Sequence, residues 1–180
     1  MTTGNEPVVT LHTLGCKLNQ AETELLAGQF AEVGFRVASN GSADVCILNT
    51  CTVTHIADRK SRHLVRLLRK RNPKALIVAT GCYAERTSHE LTNIGVDLVI
   101  GNEHKMNIPE LVKRSLSFKP GYAVKESDLN SSLRVRSFVK IQDGCSDFCA
   151  YCIVSMVRGR EFCLPVEDVI VTVKTKVSAG

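Results

Sequence analysis

The stretch "ADVCILNTC", residues 43–51, joins an almost continuous apolar run to a cysteine. A run that is apolar on both faces is typical of a strand in a parallel sheet, because helices cover both sides of such a sheet. Segments of strand length and helix length alternate around it between residues 8 and 116. This alternation predicts an α/β fold with a mostly parallel sheet.

Hydrophobic periodicity and turn residues place the individual elements. Strands are predicted at residues 8–14, 35–38, 43–50, 75–81 and 96–101. Helices are predicted at residues 19–34, about 54–71, about 84–93 and from about 107. Residues 1–116 are therefore expected to form one domain with a doubly wound, Rossmann-like sheet.

The remainder of the chain departs from this alternation. Residues 117–133, "SFKPGYAVKESDLNSSL", contain Pro-Gly and paired serines and are predicted to be a linker. Residues 134–144 alternate like a strand and lead into a cysteine-rich loop, and Pro165 is predicted to begin a last helix. A strand, a loop and a helix cannot bury their own apolar faces, so residues 134–180 are expected to open a larger, incomplete domain.

Composition narrows the setting of these domains. Hydrophobic residues make up 44% and charged residues 23% of the chain, which is ordinary globular usage. The N-terminus lacks the pattern of a secretory signal, and no apolar run has the length of a membrane span, so a cytoplasmic protein without a membrane partner is expected. In a reducing compartment eight cysteines are more typical of metal ligands than of disulfides.

The net charge of +5 is concentrated in one segment. Residues 59–74, "RKSRHLVRLLRKRNPK", contain eight Lys or Arg and no acidic residue. Such a density predicts attraction to a polyanion, with nucleic acid as the natural partner. A basic, solvated helix face is the alternative interpretation. No aromatic residues interleave with the charges, so the pattern supports phosphate attraction without base readout.

Three cysteines each follow a predicted strand and precede a predicted helix, namely Cys16, Cys51 and Cys82. The carboxyl ends of parallel strands meet at one edge of the sheet, so the three thiols are expected to share a ligand there. The following helix N-termini are expected to lower the thiol pKa values. The alternative is that the three are small packing residues, and Cys46, inside a strand, is predicted to be one. Cys163 is interpreted as a plain thiol.

A second triplet lies in "DGCSDFCAYC", residues 143–152, which contains Cys145, Cys149 and Cys152. Structural zinc usually takes four ligands, whereas an iron–sulfur cubane held by three cysteines keeps one iron open for a substrate or cofactor. The spacing of three and then two residues favours the cluster, with zinc as the alternative.

At these residues the sequence resembles radical S-adenosylmethionine enzymes, whose loop is Cys-x-x-x-Cys-x-aromatic-Cys. The stretches "LGCKLNQAE", "ILNTCTVT" and "TGCYAE" resemble the N-terminal domain of the methylthiotransferases, and "VKIQDGCSDFCAYCIV" and "RGRE" continue the likeness. Within that family, "GCKLNQ" and "NTCTVTHIADRKSR" are most similar to the type that modifies N6-threonylcarbamoyladenosine in tRNA.

The resemblance implies an enzyme with two [4Fe-4S] clusters, one on each triplet, that uses S-adenosylmethionine and an electron donor protein to insert a methylthio group at C2 of the tRNA adenosine. It also implies that Tyr151 lies against the adenine of the cofactor and that Asn49 shapes the loop around Cys51. Residues 134–180 would then be the first βα unit of an incomplete radical S-adenosylmethionine barrel. Ser155 and Met156 stand where the family commonly has a proline and an aromatic residue.

Two expectations concern the function of residues 1–180. Because most of the cofactor pocket would lie outside residues 1–180, the isolated chain is expected to bind iron but to methylthiolate tRNA poorly or not at all. The alternative function is a non-catalytic iron–sulfur or zinc-binding module that associates with RNA through the basic segment.

Overall fold

The computed structural model describes residues 6–39, 41–116 and 137–178 of the chain. Its main sheet has five parallel strands: β1 (Val8–Thr13), β2 (Arg36–Ala38), β3 (Val45–Thr50), β4 (Leu76–Gly81) and β5 (Leu98–Val99). They lie in the order β2-β1-β3-β4-β5. The order reverses between β1 and β3, as in a doubly wound sheet, and the α/β prediction is confirmed.

Helices cover both faces of this sheet. They are α1 (Lys17–Glu32), α2 (His55–Arg71), α3 (Cys82–Arg86), α4 (Ser88–Asn93) and α5 (Ile108–Leu116), the last preceded by a 3₁₀ turn at Lys105–Asn107. One core forms under α1 and α5, and a second forms under α2, α3 and α4. Strand β3 is buried along its whole length, and its alternate residues enter the two cores, as its apolar run predicts.

Two predicted elements differ from the structure. The helix expected at about 84–93 is divided into α3 and α4, because Thr87 leaves the helical conformation with φ −142° and ψ 56°. The strand expected at 96–101 shortens to the two residues of β5, which lies at the edge of the sheet and pairs with β4. Elsewhere the predicted bounds agree within a few residues.

The described residues 137–178 form a smaller substructure. A two-stranded antiparallel pair, β6 (Gln142–Asp143) and β7 (Phe162–Cys163), brackets the cysteine loop and α6 (Val154–Arg158), and α7 (Val166–Ser178) follows. The helix predicted after Pro165 is confirmed. Only two residues of the strand predicted at 134–144 are strand within its described part, and their pairing is antiparallel. The predicted linker, 117–133, lies outside the described residues.

Candidate metal centre

The carboxyl edge of the main sheet collects the first cysteine triplet. Cys16 caps the start of α1 after β1, Cys51 follows β3 directly, and Cys82 begins α3 after β4. Because β1 and β4 both pair in parallel with β3, the three residues lie on neighbouring loops at the point where the strand order reverses. This is the place where open α/β sheets bind ligands.

Two glycines allow these loops to approach each other. Gly15 has φ +107°, and a Cβ added there would lie 2.8 Å from the Sγ of Cys51. Gly81 has φ +94°, and a Cβ there would lie 2.3 Å from the backbone oxygen of Thr50. Neither position has room for a side chain, so the Gly-Cys pairs at residues 15–16 and 81–82 are a geometric requirement of the site. The repeated Gly-Cys pair is visible in the sequence, but the close approach of the loops that requires glycine is seen only in the structure.

The three thiols differ in burial. Cys51 and Cys82 are each 5% exposed, whereas Cys16 is exposed. Burial raises the pKa of the Cys51 thiol, and the nearby Cys82, Cys16 and Asp58 act in the same direction. The expected lowering of the pKa by a helix N-terminus is therefore wrong for Cys51. A bound metal would have to supply the positive charge that keeps this sulfur a thiolate.

Two buried asparagines fix the loops around the triplet. The Asn19 Nδ2 donates to the backbone oxygens of Leu14, at 2.8 Å, and Thr50, at 3.0 Å. The Asn49 Nδ2 donates to the backbone oxygen of Asn19 at 3.0 Å and to the hydroxyl of Thr23 at 3.2 Å. Asn49 thus ties the end of β3 to α1, and its Oδ1 is buried without a hydrogen-bond partner among the described residues.

A buried ion network adjoins this edge, and no sequence pattern indicated it. Glu22 of α1 is 1% exposed and pairs with Lys105 at 2.6 Å, Arg158 at 2.9 Å and Lys140 at 3.1 Å. Arg158 and Lys140 also pair with Asp143, at 2.8 and 2.6 Å. Burial acts to raise the pKa of Glu22, but the hydrogen bonds and charges of Arg158 and Lys105 outweigh it and lower the pKa to about 2.

The second triplet lies in the loop between β6 and α6. Cys149 is exposed, while Cys145 and Cys152 are partly buried. Two backbone hydrogen bonds shape the loop, from the Cys145 N–H to the Gly159 oxygen at 3.1 Å and from the Cys152 N–H to the Cys149 oxygen at 3.0 Å. Tyr151 is 92% exposed. This loop is far more open to solvent than the edge that holds Cys51 and Cys82.

The fit of the two triplets to metal can be judged from their donors. Within the described ranges, no group of three His, Cys, Asp or Glu side chains is gathered closely enough to hold a metal ion. Each triplet nevertheless offers three thiols, the donor set of an iron–sulfur cluster with one open iron. A cluster spreads its ligands over several irons, so its thiols need not converge on one point. The donor chemistry fits a cluster better than a single ion.

The remaining cysteines and the basic segment are also placed. Cys46 is fully buried in the core under α2, which confirms its packing role, and Cys163 is exposed. Two basic residues have structural contacts: Arg62 donates to the Tyr83 hydroxyl at 2.8 Å, and Arg69 donates to the Gly95 oxygen at 2.9 Å. The others of the segment are exposed, namely Arg59, Lys60, Arg66, Lys70, Arg71 and Lys74. Among the described residues, no helix is both long enough and apolar enough to cross a membrane.

Residues 8–101, which carry the sheet and the first triplet, match the family described as "Uncharacterized protein family UPF0004". This match covers just over half of the 180 residues. The chain belongs to this family. The predicted resemblance to the methylthiotransferases is confirmed, because most of the chain is also similar to curated members of that family.

Three relatives illustrate the similarity. The chain is 37% identical to the threonylcarbamoyladenosine tRNA methylthiotransferase MtaB of Aquifex aeolicus, over 96% of this chain and 45% of the relative. It is 34% identical to the MtaB of Bacillus subtilis, over 96% and 41%. It is 35% identical to the tRNA-2-methylthio-N(6)-dimethylallyladenosine synthase of Thermotoga petrophila, over 94% and 41%. The chain thus spans less than half the length of these relatives. Its sequence identity to the two types of enzyme is similar.

Proposed function

We propose that this chain forms part of a radical S-adenosylmethionine methylthiotransferase that inserts a methylthio group at C2 of N6-threonylcarbamoyladenosine in tRNA. The observation that carries the proposal is the meeting of three cysteine loops at the carboxyl edge of the sheet, in a chain whose relatives are named tRNA methylthiotransferases. The proposed division is a domain at 1–116, a linker at 117–133 and the first unit of a radical S-adenosylmethionine barrel at 134–180.

Each triplet has a distinct role in this proposal. Cys16, Cys51 and Cys82 would hold one [4Fe-4S] cluster, at an edge of the sheet where two of the three thiols are buried. The open loop holds the second cluster on the residues Cys145, Cys149 and Cys152. When bound, that cluster supplies the electron for reductive cleavage of S-adenosylmethionine. Tyr151 is 92% exposed, so its ring is accessible for stacking on the adenine of that cofactor.

The proposed partners follow from charge and from the chemistry. The exposed basic residues of α2 and the following turn offer a surface for the tRNA phosphates, and such binding should weaken steeply with salt. Reduction of the cluster in the open loop requires an electron donor protein. A cytoplasmic location, where tRNA and thiol-reducing conditions coexist, is part of the same proposal.

Iron counting after anaerobic reconstitution tests the two-cluster assignment on the 180-residue chain. Cys51→Ser and Cys149→Ser should each remove roughly half of the bound iron, because each variant removes a ligand of one cluster. Cys163→Ser is the matched control and should retain all of it. Full iron in Cys149→Ser would refute the assignment. Zinc binding without iron would support the alternative, a zinc-binding module associated with RNA.

The substrate needs a separate test, because both types of relative are similar to the chain. Deleting the gene in its host and digesting the tRNA for nucleoside mass spectrometry provides it. We expect the methylthio derivative of threonylcarbamoyladenosine to disappear and that of isopentenyladenosine to remain. The reverse result would assign the other substrate. No change in either nucleoside would favour the non-catalytic module.

A further inference from the structure

Arg158, at the end of α6, joins the open cysteine loop to the sheet edge. Its side chain is 3% exposed and makes five hydrogen bonds, one for each guanidinium N–H. Four go to oxygens: two to Glu22 at 2.9 and 3.2 Å, one to Asp143 at 2.8 Å and one to Asn19 at 2.5 Å. The fifth runs from Nε to the Sγ of Cys82 at 3.4 Å. The guanidinium group is thus held by four hydrogen bonds to oxygens, and its remaining N–H donates to a sulfur.

The charges around Arg158 do not balance within the part of the chain that the structure describes. Three cations, Lys105, Lys140 and Arg158, share two carboxylates, Glu22 and Asp143, which leaves one positive charge in excess within the network. Lys105 is also 1% exposed. Excess buried charge is costly unless an anion compensates it. The cluster proposed on Cys82 would place negative charge beside this excess, since the Cys82 Sγ lies 3.4 Å from the Arg158 Nε.

A structural explanation accounts for the four oxygen contacts but not for the fifth. Pairing with Glu22 and Asp143 would hold α6 against α1 whichever residue occupied position 82. The Nε contact instead places a cationic donor on one ligand of the proposed cluster, and hydrogen bonds to ligand sulfurs are among the features that set cluster potentials.

We propose that Arg158 is a positioning residue that donates its Nε–H to the Cys82 sulfur and thereby raises the reduction potential of the cluster held by Cys16, Cys51 and Cys82. This inference rests on the proposed function. The couple is the one-electron reduction of the cluster from the +2 to the +1 state, with no proton transferred. A cationic donor stabilises the reduced state more, since that state carries one more negative charge.

The test is a redox titration of the 180-residue chain carrying Cys145→Ala, Cys149→Ala and Cys152→Ala, which leaves one triplet. The chain is reconstituted with Fe²⁺ and sulfide, reduced stepwise with dithionite and followed by electron paramagnetic resonance. In Arg158→Gln the equilibrium constant for reduction should fall about tenfold, which corresponds to about 59 mV for one electron. Arg158→Lys keeps the charge but not the fork and should show a smaller fall in the same direction.

Lys140→Gln is the matched control, since it removes a cation of the same network that has no contact with Cys82 among the described residues. Its shift should be smaller than that of Arg158→Lys. An equal shift in Lys140→Gln and Arg158→Gln would overturn the inference, because it would show a general charge effect.

Three further outcomes would overturn the proposed role of Arg158. An unchanged potential with full iron in both Arg158 variants would overturn the inference and leave the proposed function intact. Loss of folding in both variants, seen by circular dichroism, would assign Arg158 a structural role only and overturn the inference as well. Absence of iron in the parent background would overturn the inference and the proposed function together.

Discussion

The two cysteine triplets are held in opposite ways. At the sheet edge, Cys51 and Cys82 are each 5% exposed and follow adjacent parallel strands whose register fixes their loops. In the second loop Cys149 is exposed, and Tyr151 is 92% exposed. The first site is therefore formed by the sheet itself. The second depends on the short antiparallel pair of β6 and β7 and on contacts outside the cysteine loop. This difference is what we would expect between a protected cluster and one that must admit a cofactor.

The ion network around Glu22 is where the two regions meet. Glu22 and Lys105 belong to the main α/β unit, while Lys140, Asp143 and Arg158 flank or follow the second loop. A buried carboxylate that serves three cations is strongly destabilising to remove, because the cations remain buried without a counter-charge. The contact between the two regions can therefore be tested first by replacing Glu22.

Replacement of this carboxylate should have the largest effect. Glu22→Gln should lower the free energy of unfolding by about 4 kcal/mol, because three buried or partly buried cations lose their shared anion. Urea unfolding measures the change. Glu32→Gln, at an exposed position of the same helix, is the control and should change it by less than about 0.5 kcal/mol. A small effect in Glu22→Gln would show that the network does not stabilise the contact between the two regions.

Acid should weaken the same contact without mutation. The pKa of Glu22 is lowered from its usual 4.5 to about 2, so its contribution to stability is complete above pH 4.5 and is lost as the pH falls through about 2. At about 1.4 kcal/mol for each pKa unit, this contribution is about 3 kcal/mol. Urea unfolding between pH 6 and pH 2 measures it. In Glu22→Gln this part of the acid dependence should be missing, and its persistence would contradict the assignment.

The first triplet and its edge were predictable because they follow from regularities along the chain. Alternating strands and helices imply parallel pairing, and parallel pairing brings Cys16, Cys51 and Cys82 to one edge. What sequence reasoning missed was the ion network, since Glu22 and Arg158 are separated by 136 residues and nothing local marks either as buried. It also misjudged the pKa of Cys51, because burial depends on neighbours that only the folded structure shows.

The glycines before the cysteines test how tightly the first edge is packed. Gly81→Ala should cost about 3 kcal/mol, because its φ of +94° is unfavourable for alanine and its Cβ would overlap Thr50 and Asn49. Gly28→Ala is the control, since a Cβ there meets nothing within 4 Å inside α1, and it should stabilise the chain by about 0.5 to 1 kcal/mol. Thermal or urea unfolding gives both values. Equal stability of the two variants would mean that the loops are not packed as described.

The smallest effect on stability is expected at Tyr151, and this is what separates the second loop from the first. The side chain is 92% exposed, so Tyr151→Ala should change the free energy of unfolding by less than about 0.5 kcal/mol and leave the iron content unaltered. On the proposed function, S-adenosylmethionine is expected to perturb the electron paramagnetic resonance signal of the second cluster in the parent chain, and this response should be lost in Tyr151→Ala because the ring no longer stacks on the cofactor. Phe148→Ala is the control in the same loop, with an aromatic ring that is 87% exposed, and it should keep the response. If Tyr151→Ala instead unfolded the hairpin, the exposed ring would have a structural role, and the contrast between a packed first site and an open second site would fail.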